Sequence, residues 1–300
     1  MRYNLNAGYG MAVAARLTAF QSSGKTFIVQ PTTYPNADMI TEIFQPDYDG
    51  VTRVFSTIST ALAACTAGNG DVIFVAPGHT ETITAAGGIT ISQSGVSIIG
   101  IGNGNLRPII TFTTAVAASV VVSGANVTLQ NIIFTCGINA QTQMISVTGA
   151  DCAIRNCYFN VATAGAIGAT IGINATAADR LIVDSNVMVG AVGTTGTTAT
   201  AYIQYSTGIE PQITNNFMTG KATQLINNGS AALRGFIDNN KMVVGTGTVA
   251  INLSATSTQF ITNNRFNLPS GTTPIVAAGA FVGGNTLSNA AGVTASAVTF

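Results

Sequence analysis

Arg155, Asp184 and Asp238 are the residues whose types and spacing come nearest to a reactive cluster. Each follows the first residue of a recurring six-residue element: IRNCYF from Ile154, VDSNVM from Val183 and IDNNKM from Ile237. Thr214 holds the same place in ITNNFM, between the last two. If successive copies stack as strands, Asp184 and Asp238 stand two strands apart, about 10 Å. That is the wide edge of the range in which an acid and a base flank a glycosidic bond and leave room for water. Arg155 falls one copy from Asp184, so an ordinary surface ion pair is the simpler account. No aromatic cluster accompanies them in this reading, so no sugar-stacking platform is expected. The three are weak catalytic candidates, and the expectation is a protein without catalysis.

Other chemistry is weaker still. His79, the one histidine, follows a strand-like run in APGHTETI beside Glu81 and reads as a solvated or locally hydrogen-bonded group at a turn. The glycine-rich GIGNGN at 100–105 does not open a helix, which removes the phosphate-loop reading. Cys65, Cys136, Cys152 and Cys157 lack C-x-x-C spacing and have one His between them, so no zinc site is expected. They read as reduced core thiols. Nothing resembles an acidic calcium loop, and no cofactor is expected.

The six-residue element that carries these residues runs along most of the chain. Its copies begin at Ile98, Leu129, Ile154, Val183, Ile213, Ile237, Ile261 and Val282, between 21 and 31 residues apart. A period of that size with variable insertions is a solenoid signature. Short alternating runs of Val, Ile, Leu and Thr between Gly and Asn make it a solenoid of strands. The sixth position holds Phe134, Phe159, Met188, Met218, Met242, Phe266 and Leu287, and in the first, degenerate copy Asn103. Stacked, these large residues form one interior column.

Asparagine fills the third position at Asn131, Asn156, Asn215, Asn239 and Asn263, and the fourth at Asn186, Asn216, Asn240, Asn264 and Asn285. Asn tolerates left-handed backbone at a sharp bend. Its amide both donates and accepts, so stacked copies can bond along a ladder. The pairs therefore read as structure in preference to a ligand site. The fourth position is apolar early, at Ile132 and Cys157, which predicts an interior that grows more polar toward the C-terminus.

Composition agrees with a structural role. Of 300 residues only 7% are charged and the net charge is zero, against roughly 25% charged in an ordinary domain. Nucleic acid and acidic membrane are therefore not expected as partners. No apolar run approaches a membrane span. The opening MRYNLNAGYG lacks a signal-peptide pattern, so the expectation is synthesis in a cytoplasm without export. A surface so poor in charge predicts cover by other chains. The uncharged stretches VATAGAIGATIGINATA and GAVGTTGTTATAYIQYS, rich in small residues, are the expected contact faces of a homo-oligomer.

Residues 54–102, VFSTISTALAACTAGNGDVIFVAPGHTETITAAGGITISQSGVSIIGIG, resemble the N-terminal end of right-handed parallel β-helix proteins of the pectate-lyase-like superfamily. Ser56 or Thr57 starts a short helix with Ile58, Leu62 and Cys65 on one face. The resemblance implies that this helix, about 56–66, closes the open end of an all-β solenoid whose rungs span about 71–290. That fold hosts lyases, hydrolases, phage tailspikes, adhesins and structural proteins, so it implies little about activity. The longer block 24–84, from GKTFIVQP to HTETIT, resembles β-helix proteins encoded beside tailed-phage head genes. It implies a virion component, a head-decorating one, and assembly as a trimer. Carbohydrate binding or cleavage and a bacterial surface role are the alternatives.

Residues 1–53 do not fit the repeat and read as a separate segment ahead of a β-helix over 54–300. They are either an arm that docks on a major capsid protein, another virion protein or a sister subunit, or a lid over the solenoid base.

Overall fold

The computed structural model describes residues 24–31, 53–162, 167–191, 198–230, 232–244, 249–254, 257–269, 273–277, 280–289 and 296–298. Three parallel sheets run along one solenoid of about nine turns. Each turn supplies one short strand to sheet A, one to sheet B and one to sheet C. The turn at Ala153 shows the unit: Ala153–Arg155, then Tyr158–Asn160, then Gly168–Thr176. Among the described residues the sheets hold eleven, ten and eight strands.

The strands are short because the sequence alternates for three or four residues and then turns. In sheet A the inward column is Ile98, Leu129, Ile154, Val183, Ile213, Ile237, Ile261 and Val282, paired in register from rung to rung. In sheet B the inward column is Phe134, Phe159, Met188, Met218, Met242, Phe266 and Leu287. Phe134 and Phe159 stack at 5.0 Å between centroids. No single rung encloses its own apolar face; each is covered by the rungs above and below, so the interior is one continuous cluster, while Ile28, Val72, Phe74 and Ile99 form a second, smaller one.

The sequence reading put Asn103 at the head of the sheet B column. The structure puts Ile110 there, opposite Phe134. A longer corner containing the 3-10 turn Gly104–Leu106 shifts the alignment at this rung. The column then ends on Glu81, opposite Ile110.

The helix, α1, spans Ile58–Ala64; the Thr57 hydroxyl accepts from the Thr60 N–H. It lays Ile58, Ala61 and Leu62 on the core, while Cys65 lies just past its end. Glu81 accepts the free N–H of Ile58 at 3.0 Å, favourable at the positive end of a helix.

Two expectations change. The strand Thr26–Val29, inside the segment read as separate, pairs in parallel with Val54–Phe55 on one side and Val72–Val75 on the other. Sheet A therefore begins before residue 54. The remainder of the proposed arm, 1–23 and 32–52, lies outside the described residues. The small-residue stretches are also not simply surface. Ala169, Ile173, Ala175, Ala201, Ile203 and Tyr205 from them are buried inward on sheet C.

At the C-terminal end, Ser296–Val298 runs antiparallel to Asn285–Asn289 and is the last strand of sheet B.

Candidate functional site

The corner between sheets A and B carries the asparagines, and the structure divides them into two columns with different work. Asn131, Asn156, Asn215, Asn239 and Asn263 sit at φ values of 51–59°. Gly284, at φ 66°, takes the same place in the last corner. These residues turn the chain, because Asn and Gly bear left-handed backbone at least cost.

The next residue at each corner points inward. Asn186, Asn216, Asn240, Asn264 and Asn285 are buried. The Oδ1 of Asn216 accepts both the backbone N–H and the side-chain amide of Asn186, at 2.9 and 3.0 Å. Asn240, Asn264 and Asn285 repeat this toward the C-terminus. Each amide also donates back to a carbonyl of the previous rung, as Asn264 does to Ile237 at 2.8 Å. Cys157 feeds the chain of bonds from its N-terminal side through its N–H to Asn186. The amides are thus spent on one another and on backbone, which leaves nothing for a ligand.

The weak catalytic candidates lie on the outer face of sheet A. Arg155, Asp184, Thr214, Asp238 and Thr262 are in register on successive strands. Each aspartate is an acceptor for the rung that follows it. Asp184 takes the Thr214 hydroxyl at 2.6 Å and the Asn215 amide at 2.7 Å. Asp238 takes the Thr262 hydroxyl at 2.6 Å and the Asn263 amide at 2.8 Å. Partial burial pushes the Asp184 carboxyl up, but hydrogen bonds from Thr214, Asn215 and Ser185 outweigh it and hold the group below its ordinary value. It is a held anion, the opposite of a general acid poised near neutrality. The ion pair expected with Arg155 is absent among the described residues: Arg155 acts on Asp184 through charge alone. Ser185, which donates to Asp184 at 3.1 Å, borders a cleft of ≈ 360 Å³ shared with Arg107, Asn131 and Asn156, and neither aspartate lines it.

An aromatic cluster does stand beside them, contrary to expectation. Phe236, Phe260 and Phe281 form an exposed column on the same face, two residues before the Asp238 column. Phe236 and Phe260 lie 5.2 Å apart with planes 12° from parallel, and Phe260 and Phe281 5.7 Å apart. Near-parallel rings at 5.2 Å are too close to lie side by side in one plane, so Phe236 and Phe260 overlap face to face. The signal was in the repeat: FIDNN, FITNN and FVGGN each open with the residue ahead of the aligned position.

His79 is buried, not solvated, and its Nε2 lies 3.4 Å from the Glu81 Oε2. The cysteines are free thiols; burial pushes Cys157 up to about 12 against backbone hydrogen bonds and the Arg107 charge that lower it, and burial pushes Cys65 to about 12 as well. Sheet C carries no Lys, Arg, His, Asp or Glu in any of its strands. Its outer face instead shows amides that bond to each other, such as Asn252 to Asn227 at 3.1 Å. Among the described residues no group of three His, Cys, Asp or Glu side chains could hold a metal.

No protein-family model and no curated protein sequence matches the chain. Among solved structures, the pectate lyase Pel9A aligns over 88% of this chain and 80% of its own, at 12% identity and TM-score 0.46. The ORF18 protein of Geobacillus virus E2 aligns over 96% of this chain and 65% of its own, at 13% identity and TM-score 0.42. The tailspike of E. coli bacteriophage HK620 aligns over 94% and 70%, at 14% identity and TM-score 0.44. These likenesses concern fold alone and are too distant to carry function. The strand order and register of this chain make it a parallel β-helix of three sheets.

Proposed function

We propose that this chain is a non-catalytic structural protein of a tailed-phage virion, decorating the head and assembled with copies of itself as a trimer. The observation that supports it is the fate of Asp184 and Asp238. Both candidate carboxylates are acceptors for Thr and Asn of the following rung. The exposed Phe236, Phe260 and Phe281 add a self-association face, since apolar strips of this kind mark protein contacts. The head location rests on the resemblance of residues 24–84, with the part of residues 1–53 outside the strand Thr26–Val29 as the contact to a major capsid or other virion protein. The test is imaging of labelled protein on particles, with a glycan-cleavage assay on the purified chain. Label on the capsid and no cleavage are expected. Depolymerisation of a polysaccharide would sink the proposal.

A glycan-binding reading draws on the same phenylalanines beside polar Asp, Thr and Asn. It is the weaker one, because sugars stack on ring faces and the overlapped Phe236 and Phe260 turn theirs toward each other.

A further inference from the structure

We infer a binding site for a small oxyanion, a phosphate or carboxylate group, on the outer face of sheet B near the C-terminal end. Lys241 and Arg265 are in register on adjacent strands there, both exposed. Adjacent parallel strands put their Cα atoms about 4.8 Å apart. Like charges so placed repel and cost stability unless something between them is negative. Nothing in the described structure is. Neither cation has an ion-pair partner among the described residues.

The described carboxylates are all engaged elsewhere. Asp71 holds the Lys25 and Thr66 N–H groups. Glu81 holds Ile58. Asp151 and Glu210 pair with Arg180 and Arg234. Asp179 holds the Ile209 N–H. Asp184 and Asp238 are bound by the rungs that follow them. In a chain with so few charges, two uncompensated cations on neighbouring strands are a specific feature and not a general basic surface.

The surroundings form a site. A cleft of ≈ 350 Å³ is lined by Lys241 and Arg265, with Phe217 and Val243 beside them and Asn267, Thr286 and Ser288 supplying polar side chains. Phe217, Lys241, Arg265 and Thr286 form one column, and Val243, Asn267 and Ser288 run parallel to it. Its apolar side chains, Phe217 and Val243, lower the local dielectric and strengthen attraction for an anion. The Arg265 guanidinium can donate two parallel bonds to one oxyanion while the Lys241 ammonium adds a point charge. The Thr286 and Ser288 hydroxyls and the Asn267 amide can donate to the remaining oxygens. Phosphate and carboxylate share this chemistry.

The inference goes beyond the proposed structural role and stands without it. Equilibrium dialysis of the full chain against inorganic phosphate and against succinate tests it, with the double variant K241Q/R265Q and the control R155Q. Binding of at least one probe is expected, weakening with added salt. The double variant should bind about 10-fold more weakly or worse, with an unchanged circular dichroism spectrum, and R155Q should bind as the parent does. Tighter phosphate binding identifies a phosphate ligand, and tighter succinate binding a carboxylate. No binding of either probe, or equal binding by K241Q/R265Q, overturns the site.

Discussion

Asn240 gives both its backbone N–H and its side-chain amide to one oxygen, the Oδ1 of Asn264, each at 2.9 Å. Rung is joined to rung through that single atom, and the same arrangement recurs from Asn186 to Asn285. Replacing Asn264 with Asp removes the amide donor to Ile237 and to Asn285, and sets a carboxylate oxygen against the Asn285 Oδ1. Such a change leaves buried polar groups unpaired. We expect N264D to lose roughly 3 kcal/mol or more of unfolding free energy, read from denaturant midpoints. A variant as stable as the parent that had lost a ligand would overturn the structural reading.

The Asp184 anion gives a pH signature. Its folded pKa lies below the ordinary 3.8. The charged form is therefore favoured by folding, so its contribution is present above that ordinary value and is lost as pH falls through the folded one. D184N removes the titrating group. The stability gap between parent and D184N should be widest above about pH 4 and close in stronger acid. A gap that widened on acidification would contradict the assignment.

If the phenylalanine strip joins copies of the chain, F236S/F260S/F281S should lower the mass measured by sedimentation while leaving the strand content intact. These side chains are 44–61% exposed, so their loss opens no cavity in the core. A variant that sediments like the parent would move the interface elsewhere.

Thiol reagents offer a check on the core. Burial holds Cys157 at about 12, so almost none is thiolate near neutral pH. Cys157 should stay unlabelled in the folded chain and react once it is unfolded in denaturant. Fast labelling of the native protein would mean that this rung opens.

The inner face of the solenoid was legible in the sequence because burial imposes a column. Phe159 and Met188 share a position in the repeat, and they pair in the sheet. The asparagines were legible as a pair but not as two roles, since composition cannot tell which of Asn239 and Asn240 turns inward; backbone φ and burial decide it. The outer face was least legible. Nothing periodic is demanded of exposed residues, so Phe236, Phe260 and Phe281 did not stand out until pairing aligned them. The strand Thr26–Val29 was missed because it reaches sheet A from outside the repeat.

The strand Ser296–Val298 runs against the grain of its sheet. A parallel stack offers every incoming segment the template of the last one, and an uncovered final rung would invite a second molecule to continue the winding end to end. By reversing direction, those three residues occupy the Asn285–Asn289 edge with a pattern that a further parallel strand does not match. On that sheet the edge of Asn285–Leu287 is already taken, so a parallel strand of a second copy cannot add there.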